Sequence, residues 1–549
     1  MSTRILYSSG RIVFIQLIIL IGFCALIGRL IYLQIYQDVF LNDQVFLRLD
    51  SHYSLLAPRG KILDRNNEVL ALDVRGYSVG VDFSKFTFDK KNIDSISTIL
   101  NQDFELLART LEGKSKGYKE ISRNINDSKK EDIKNLRVSG IYFRENLRRS
   151  YPERNITSHI VGLTDIDRKG IQGTELVFHN ELMGEEGSFQ GIKGAGNNKI
   201  EGKRVEAISG KDIKLTVDIN IQSIAYHELN KSIKKYNAEA GSVVVIEPKS
   251  GDILALVNYP SFDPLNRKYL KDMSKLRNRA AIDVFEPGSV LKPLAMSAIL
   301  ESGKINEELS INTSPGWIEF EGYKTSDFRD YGRLNLSEII SYSSNVGMIK
   351  LCKDQDIDHL VNYYKKFGIG RYPTSIMLPA REGFMPNSSQ FTARDKVSSC
   401  YGYGMTSSAL QIAQAYSVFA NQGNFIELNL FKENTFDEPF YERVIGEKTN
   451  QKIVEMLVQT VNAKGGTASK AKLVDRIVAG KTGTAKETME KETTYTGTFA
   501  GFVPHKNPEF LAVVVLHGLS GEDYSGGKVS APLFANIMQQ IFLSKDLEI

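Results

Sequence analysis

An uninterrupted apolar segment near the N-terminus constrains the fold of this chain more than any other feature. Residues 12–28 carry no charge and contain one polar side chain, Gln16, and beyond Arg29 the apolar run continues to Leu33. This run would form a helix of about 33 Å, which is enough to cross the hydrocarbon core of a bilayer. A buried core helix would show polar residues at a 3.6-residue spacing, and a signal peptide would have a shorter apolar core and a small-residue cleavage site. We therefore predict a single uncleaved membrane anchor at residues 12–33.

The charges that flank this segment predict its orientation. Arg4 and Arg11 precede it with no acidic residue between them, whereas Asp38 and Asp43 follow it. Basic residues stay preferentially on the cytoplasmic side of a membrane, so residues 1–11 are predicted to form a cytoplasmic tail. The chain after the anchor would then lie outside the cytoplasmic membrane.

The composition of the chain excludes several classes of protein. Apolar residues make up 42% and charged residues 24%, which excludes a wholly disordered chain. The 69 basic and 65 acidic side chains leave a net charge of +4, which is too balanced to predict nucleic acid as the main partner. Cys24, Cys352 and Cys400 are too few and too widely spaced for a disulfide framework or a zinc cluster. Metal chemistry is therefore not expected, and whether Cys352 and Cys400 are paired stays open.

The character of the sequence changes near Gly210 and divides the chain after the anchor into two parts. Residues 34–213 are mixed and hydrophilic, and the apolar spacing in Ile93–Leu111 and Tyr118–Leu136 predicts two short amphipathic helices. Strands and helices are predicted in the second part at Lys214–Asp218 (strand), Ile221–Ile233 (helix), Gly241–Ile246 and Asp252–Val257 (hairpin), Thr498–Val503 and Phe510–Leu516 (strand pair) and Pro532–Phe542 (helix). Strands at both ends of a long helical middle imply an α+β domain at 214–549, with its sheet assembled from distant segments.

Three short motifs follow one another in this second part: Ser289-Val-Leu-Lys292, Ser343-Ser-Asn345 and Lys481-Thr-Gly-Thr484. The Ser-x-x-Lys spacing alone means little, because it also occurs at Ser232, Ser469 and Ser525. The surroundings of Ser289 are different, because Glu-Pro-Gly precedes it and a proline follows Lys292, as in the first turn of a helix. Ser289 and Lys292 should therefore share one face of that turn, with the amine in reach of the hydroxyl that it would activate. The N–H of Ser289 would lie at the helix N-terminus, where it can stabilise an oxyanion.

The other two motifs supply polar groups whose function the pattern alone does not decide. Ser343 and Asn345 lie between two helical patterns, and a plain polar turn is the alternative interpretation. Lys481 and the two threonines after it follow a predicted strand at residues 477–479 and would line its edge, where a lysine and two hydroxyls can bind a carboxylate. The glycine between the threonines, Gly483, would let a ligand backbone approach closely.

The ordered triple resembles the motifs of penicillin-binding proteins and serine β-lactamases. Further segments resemble the transpeptidase domain of class B penicillin-binding proteins: Phe285–Pro293, Ser343–Gly347, Tyr401–Gly404, Ala479–Ala485 and Gly526–Pro532. Segments that resemble the pedestal of that family are Arg59–Arg65, Arg149–Pro152 and Gly170–Glu175. Two residues depart from the family pattern: Asn67 stands where the pedestal motif usually has glycine, and Ser344 where the second motif can have aspartate.

The resemblance implies an α+β fold of a defined kind. A penicillin-binding, serine β-lactamase-like transpeptidase domain, an antiparallel sheet with helices, is expected at 214–549. A mixed α/β non-catalytic pedestal of the dimerisation type is expected at 34–213, behind the transmembrane helix at 12–33. The protein would be a single-pass protein of the bacterial inner membrane with a periplasmic catalytic domain. Because Arg277–Ser289 resembles the cell-division enzymes, a role at the division septum is expected, with a membrane glycosyltransferase and other division proteins as partners.

The resemblance also implies a mechanism that needs no metal or cofactor. Ser289 would attack the D-Ala-D-Ala bond of a peptidoglycan stem peptide, and neutral Lys292 would take its proton. Ser343 would relay a proton to the leaving D-Ala, and Asn345 would hydrogen-bond the donor peptide. Burial and the charge of the lysine in the third motif would lower the pKa of Lys292. The terminal carboxylate would be bound by Lys481, Thr482, Gly483 and Thr484. β-Lactam antibiotics should acylate Ser289.

Three other functions remain possible on these motifs. An elongation-type class B transpeptidase would use the same residues in a different cellular process. A D,D-carboxypeptidase or β-lactamase-like hydrolase would release D-Ala without forming a cross-linked product. A non-enzymatic division scaffold would not be acylated.

Overall fold

The N-terminal apolar segment forms helix α1, Ser9–Ile31, which continues through a π-helical turn at Tyr32–Tyr36. In the computed structural model its large apolar side chains are exposed, Phe14 by 65% and Leu26 by 66%. Residues Gly10–Tyr36 have a mean hydropathy of 2.4 and form the one helix in the described part of the chain that is long and apolar enough to cross a membrane. An apolar helix whose side chains are exposed in this way suits the predicted anchor, because hydrocarbon would cover it.

The structure describes residues 9–37, 50–113, 116–193, 199–266, 272–306, 308–373, 376–432, 441–489 and 492–547. The chain divides into two compact units, one of Met1–Pro58 with Met183–Gly210 and one of Arg59–Leu182 with Lys211–Ile549. The first unit contains an antiparallel sheet in the order β1-β8-β9, with bounds Asp50–Leu55, Gly187–Lys193 and Lys199–Val205. The predicted domain boundary between residues 213 and 214 stays a prediction.

The pedestal part of the second unit is a sheet with helices on one side. Its strands run in the order β10-β2-β3-β4. A fifth strand, β5, pairs with β3 on the edge opposite to β4. Their bounds are β2 Ile62–Leu63, β3 Val69–Asp82, β4 Tyr118–Ile125, β5 Ile141–Ser150 and β10 Ile213–Lys214. The helices are α2 Lys90–Leu100, α3 Phe104–Leu111 and α4 Asp127–Asn135. Buried Val79 and Val81 of β3 pack against Ile93, Ile96 and Leu107 of these helices.

Three predictions for local structure were wrong in part. The segment Ile93–Leu111 is not one helix but two, α2 and α3, because Asn101 ends the first in a left-handed conformation and Asp103 caps the second. The segment Tyr118–Leu136 is a helix only in its second half, because Tyr118–Ile125 pairs with β3 as an antiparallel strand. Its apolar residues recur at helical spacing, but the pairing with β3 outweighs the local pattern. The predicted strand Lys214–Asp218 is shorter than expected, since strand pairing ends at Lys214 and Leu215 makes only an isolated bridge to Phe431.

Two buried carboxylates join the three pedestal segments of the sequence motif. Glu175 accepts hydrogen bonds from Arg59 Nε and Arg149 Nε, each at 2.6 Å. Asp73 accepts from Arg149 Nη1 at 3.3 Å, from Arg168 Nη2 at 2.6 Å and from the backbone N of Arg59 at 2.8 Å. Each carboxylate therefore pairs with two guanidinium groups, and these side chains are buried except for Arg168, which is 22% exposed. The three segments form one structural element.

Replacing Glu175 by glutamine is expected to destabilise the protein by about 3–5 kcal/mol, because buried Arg59 would lose the charge of this carboxylate and Arg149 would lose one of its two acidic partners. A lowered midpoint of thermal or urea unfolding measures this effect. The matched control is Glu145→Gln, which removes a carboxylate from an exposed pair with Arg75 and should cost less than about 1 kcal/mol. Equal losses in the two variants would contradict a special role for the buried cluster.

The transpeptidase part of the second unit is built on an antiparallel five-stranded sheet in the order β12-β11-β21-β20-β19. The bounds, in that order, are Ile253–Tyr259, Ala240–Ile246, Phe510–Leu519, Glu492–Val503 and Ala479–Met489. Alternate residues of the central strands face two helical layers: Val243 and Val514 pack with Phe534 of the C-terminal helix, whereas Val244 and Val513 pack with the helical middle. A sheet covered on both faces explains why these strands are apolar throughout.

Helices and short strands fill the rest of the second unit. The helices are α5 Ser158–Val161, α6 Gly173–Val177, α7 His179–Leu182, α8 Ile219–Tyr236, α9 Arg279–Ile282, α10 Lys292–Glu301, α11 Leu336–Ser341, α12 Asn345–Cys352, α13 Ile357–Lys366, α14 Ala393–Ser399, α15 Ala409–Ala420, α16 Glu447–Asn462 and α17 Gly526–Leu547. The short strands are β6 Leu163–Thr164, β7 Gly170–Gln172, β13 Ser310–Asn312, β14 Trp317–Phe320, β15 Tyr323–Ser326, β16 Arg333–Asn335, β17 Asn424–Ile426 and β18 Tyr441–Arg443. The predicted helices at 221–233 and 532–542 and both predicted strand pairs are confirmed.

A disulfide bond joins Cys352, the last residue of α12, to Cys400, which follows α14. The sequence alone left this pairing open, because the two residues are 48 positions apart. Both cysteines are fully buried in the core of the transpeptidase domain.

Candidate active site

Ser289 lies in a 3-10 turn, Gly288–Leu291, that runs directly into α10. Pro293 occupies the first turn of α10, where a missing N–H costs nothing, as the sequence predicted. Gly288 has a positive φ of 60°, which glycine adopts without strain, and its N–H donates to Gly402 O at 3.0 Å. The hydroxyl of Tyr416 donates to Val290 O at 2.7 Å. The turn is therefore held from two sides, and the Ser289 side chain is left partly exposed.

Lys292 is completely buried beneath this turn, and its ammonium group is directed to the second motif. Nζ donates to Ser343 O and Asn345 Oδ1, each at 2.6 Å, and to Ser343 Oγ at 3.2 Å. Among the hydrogen bonds of the described residues, none joins Nζ to Ser289. The structure thus brings the first and second motifs together through Lys292. The spacing of the first motif in the sequence predicted only that Lys292 lies in reach of Ser289.

Ser343 lies between two lysines at the point where the chain turns from α11 to α12. Its φ of 60° is left-handed, a conformation that a residue with a side chain adopts at some energetic cost. In that conformation Oγ accepts from Lys481 Nζ at 3.0 Å as well as from Lys292. A hydroxyl can both accept and donate, so it can pass a proton from one amine to the other.

Asn345 is the first residue of α12, and both ends of its side-chain amide are occupied. Oδ1 accepts from Lys292, and Nδ2 donates to Ser326 O at 3.2 Å. The resemblance implies that Asn345 hydrogen-bonds the donor peptide. In the structure its amide first of all orients Lys292, and one N–H is left for a ligand.

The third motif lies on β19, at the edge of the five-stranded sheet, as predicted. Lys481 is fully buried and also donates to Thr482 O at 3.1 Å. The hydroxyl of Thr482 donates to Thr467 Oγ1 at 3.2 Å, so its proton is already used inside the protein. Thr484 Oγ1 accepts from the N–H of Gly526 at 3.1 Å and keeps its own O–H for a ligand.

Gly483 faces the serine turn, and its close neighbour is protein backbone. A Cβ placed on it would lie 2.7 Å from Pro287 O and 2.9 Å from Val290 Cγ1, which no real Cβ tolerates. From the sequence, we predicted that the missing side chain of Gly483 makes room for the backbone of a ligand. The missing side chain instead lets β19 lie against the turn that carries Ser289.

Replacing Gly483 by alanine is therefore expected to push β19 away from the serine turn and to lower the second-order rate of acylation by a β-lactam about 10²-fold. Displacements near 1 Å cost this much where reacting groups must be aligned. The matched control is Gly446→Ala, because a Cβ there would meet only the mobile end of Glu301, at 3.3 Å. An unchanged rate in folded Gly483→Ala would show that the spacing between strand and turn is not critical.

Burial sets the charge of both lysines. It lowers the pKa of Lys292 to about 7, and the carboxylate of Asp327 opposes this shift. Burial and the neighbouring Lys292 lower the pKa of Lys481 well below its ordinary value. That the charge of Lys481 lowers the pKa of Lys292 stays a prediction, since repulsion between two ammonium groups acts on both.

Three residues near the site were given no role by sequence reasoning. Asp327 contacts the start of α12, Thr467 links Thr482 to Ser341 O, and Tyr403 donates to Thr484 O at 3.3 Å. Tyr403 belongs to a segment that resembled the family, whereas Asp327 and Thr467 lie in no motif. In the described part of the chain, no group of three or more His, Cys, Asp or Glu side chains is placed to hold a metal ion.

Comparison with known proteins identifies the family to which this chain belongs. A family model described as the penicillin-binding protein transpeptidase domain matches residues 241–539, and one described as the penicillin-binding protein dimerisation domain matches residues 54–215. A probable peptidoglycan D,D-transpeptidase, PenA of Neisseria gonorrhoeae, is 32% identical over 541 residues, which cover 97% of this chain and 92% of that protein. The peptidoglycan D,D-transpeptidase FtsI of Escherichia coli K12 is 30% identical over 545 residues, which cover 96% of this chain and 91% of that protein.

A solved structure agrees with the sequence matches. The crystal structure of a peptidoglycan synthetase from Bifidobacterium adolescentis has a TM-score of 0.68 and 26% identity, and covers 91% of this chain and 97% of that one. The fold and the arrangement of motifs are those of a penicillin-binding transpeptidase. The chain belongs to the penicillin-binding protein family with class B architecture, a dimerisation domain followed by a transpeptidase domain. It is a peptidoglycan D,D-transpeptidase of the FtsI and PenA type.

Proposed function

We propose that this transpeptidase cross-links stem peptides through an acyl-enzyme on Ser289 and that β-lactams acylate the same residue. The observation that carries the proposal is the environment of Lys292. Its amine is buried, its pKa is lowered to about 7, and two polar side chains, Ser343 and Asn345, fix its position behind the serine turn. A general base works best when its pKa lies near the operating pH.

Acylation begins when Ser289 Oγ attacks the carbonyl of the penultimate D-Ala. The serine proton goes to neutral Lys292, and a new ester bond forms as the D-Ala–D-Ala amide bond breaks. Ser343 Oγ, at 3.2 Å from Lys292 Nζ, passes the proton to the nitrogen of the leaving D-Ala. The oxyanion is stabilised by the N–H groups of Ser289 and Thr484, and a Cβ on Gly288 would lie only 3.7 Å from Thr484 N.

The terminal carboxylate of the donor peptide binds beside Lys481 and Thr484. Lys481 is fully buried, and an incoming carboxylate favours its ammonium form, which burial and Lys292 disfavour in the free enzyme. Thr484 adds a hydroxyl donor. An amine of a second stem peptide then attacks the ester, which releases Ser289 and forms the cross-link.

The chemistry is tested with the full-length protein in detergent, supplied with uncross-linked peptidoglycan strands. Cross-linked dimers, detected by mass spectrometry of the digested product, together with labelling of Ser289 by a fluorescent penicillin, are expected. Release of D-Ala without dimers would mean a hydrolase. The absence of acylation would mean a scaffold, and either result would overturn the proposal.

We further propose that the enzyme acts in septal wall synthesis, anchored by α1 with its N-terminus in the cytoplasm and with a membrane glycosyltransferase and division proteins as partners. The support is the resemblance of Arg277–Ser289 to the division enzymes and the two arginines before the apolar segment. A fluorescent fusion should concentrate at the division site, and protease added outside the inner membrane should digest the chain beyond about residue 40. Uniform distribution along the cell wall would favour the elongation role.

A further inference from the structure

Asp327 lies immediately after β15, and its carboxylate holds the start of α12. Oδ2 accepts a hydrogen bond from Ser344 Oγ at 2.5 Å, and Oδ1 accepts from the backbone N–H groups of Asn345 at 2.5 Å and Val346 at 3.0 Å. Ser344 is in turn the N-cap of α12, because its Oγ accepts from Gly347 N at 2.9 Å. The carboxylate thus satisfies free N–H groups of the helix, and the helix dipole favours a negative charge there.

The same hairpin also fixes the side chain of Asn345. Ser326, the residue before Asp327, accepts the Nδ2–H of Asn345 through its carbonyl oxygen at 3.2 Å. With the backbone N–H bound to Asp327 and Nδ2 bound to Ser326, the amide oxygen is left pointing at Lys292 Nζ, at 2.6 Å. The position of Lys292 therefore depends on a loop residue that has no contact with the serine turn among the described hydrogen bonds.

We propose that Asp327 is a positioning residue of the transpeptidase reaction, which acts by holding the start of α12 so that Asn345 keeps Lys292 against Ser343. This inference rests on the proposed role of Lys292 as the base that activates Ser289. Asp327 itself does not contact the reacting atoms.

The charge of Asp327 supplies a readout that a purely structural role would not change. Two charged groups face Lys292 across this site, the Asp327 carboxylate and Lys481. The carboxylate opposes the lowering of the Lys292 pKa, and Lys292 in turn lowers the pKa of Lys481. Asp327 also faces Tyr331, whose pKa is raised by burial and then by this carboxylate. Removal of the negative charge makes the ammonium form of Lys292 less favourable, so the midpoint of its titration must move to lower pH.

The test is the pH dependence of the second-order rate at which one β-lactam acylates full-length Asp327→Asn. We expect the rate on the high-pH plateau to fall by at least about tenfold, because the base is displaced. The midpoint of the pH profile, which we expect near 7 in the parent protein, should move to lower pH. Asp327→Glu, which keeps the charge but displaces it, should show the lower plateau with the midpoint retained.

The matched control is Asp330→Asn, because the Asp330 carboxylate caps a turn three residues away and binds Ser314 Oγ and Gly332 N, each at 2.9 Å. Its plateau and midpoint should match those of the parent. A parent-like plateau rate and midpoint in folded Asp327→Asn would overturn the inference. The proposed function would still stand in that case, provided that Ser289 of the parent is acylated. If Asp327→Asn does not fold, a parent-like plateau in Asp327→Glu overturns the inference and a tenfold lower one supports it. Lack of acylation in the parent would instead reject the proposed function.

Discussion

Ser289→Ala is expected to abolish covalent labelling of the protein by a fluorescent penicillin. No ester can form without the Ser289 oxygen, and the other groups of the site cannot replace it. The side chain is partly exposed and lies on a turn whose own backbone contacts hold it, so folding should be nearly unaffected. The unfolding midpoint and membrane association of the variant should match those of the parent.

Ser469 provides the control for this experiment. It also begins a Ser-x-x-Lys sequence, but it lies in a separate 3-10 turn, Ser469–Ala471. Ser469→Ala should therefore keep full labelling. Persistent labelling of Ser289→Ala, or loss of labelling in folded Ser469→Ala, would contradict the assignment of the nucleophile.

Lys292→Arg and Lys481→Arg are expected to behave differently although both keep a cation. An arginine does not deprotonate in proteins, so Lys292→Arg removes the base and should lose acylation by 10²–10⁴-fold or more, in the range of about two to four decades typical of proton-transfer assistance. Lys481→Arg can still pair with a carboxylate and should retain measurable acylation with weaker substrate binding. Its permanent charge should also move the pH midpoint of acylation downward, since it repels the ammonium form of Lys292.

Second-order acylation rates for one β-lactam, measured across a range of pH on both folded variants, decide this comparison. Lys350→Arg, on α12 but outside the motifs, controls for the larger side chain, since Lys350 contacts only the carbonyl of Asn312 at 2.6 Å among the described hydrogen bonds. If Lys292→Arg reacts as fast as Lys481→Arg, Lys292 is not the base.

Local sequence patterns were sufficient to predict those helices and strands whose structure is decided by residues close together in the chain. The hairpin of β11 and β12 has two apolar runs around a proline and glycine turn, and the start of α10 has its proline in the first turn. The edge strand with Lys481 was likewise predicted from the apolar residues before it. In each case the residues that decide the structure are neighbours in the chain.

Contacts between distant segments could not be predicted in this way. The Tyr118–Ile125 strand depends on pairing with β3, and its helix-like apolar spacing conceals that partner. Asp327 lies 18 residues before Asn345 in a polar loop, and nothing near it in the sequence indicates that it meets a helix N-terminus. The opposition of the Asp327 carboxylate to the lowering of the Lys292 pKa could not be predicted either, because the two residues come near one another only in the folded chain.

The bond between Cys352 and Cys400 links the chemistry of the site to the compartment in which the chain matures. It joins the last residue of the helix that begins with Asn345 to the segment that leads to Tyr403, so a covalent bond links two elements that carry residues of the site. A bond that closes a loop of 48 residues removes about 4 kcal/mol of unfolded-chain entropy. Thiols stay reduced in a cytoplasm and pair in oxidising compartments. In the topology proposed above, the chain would therefore gain this bond only after export, on the side of the membrane where the catalytic domain is proposed to act.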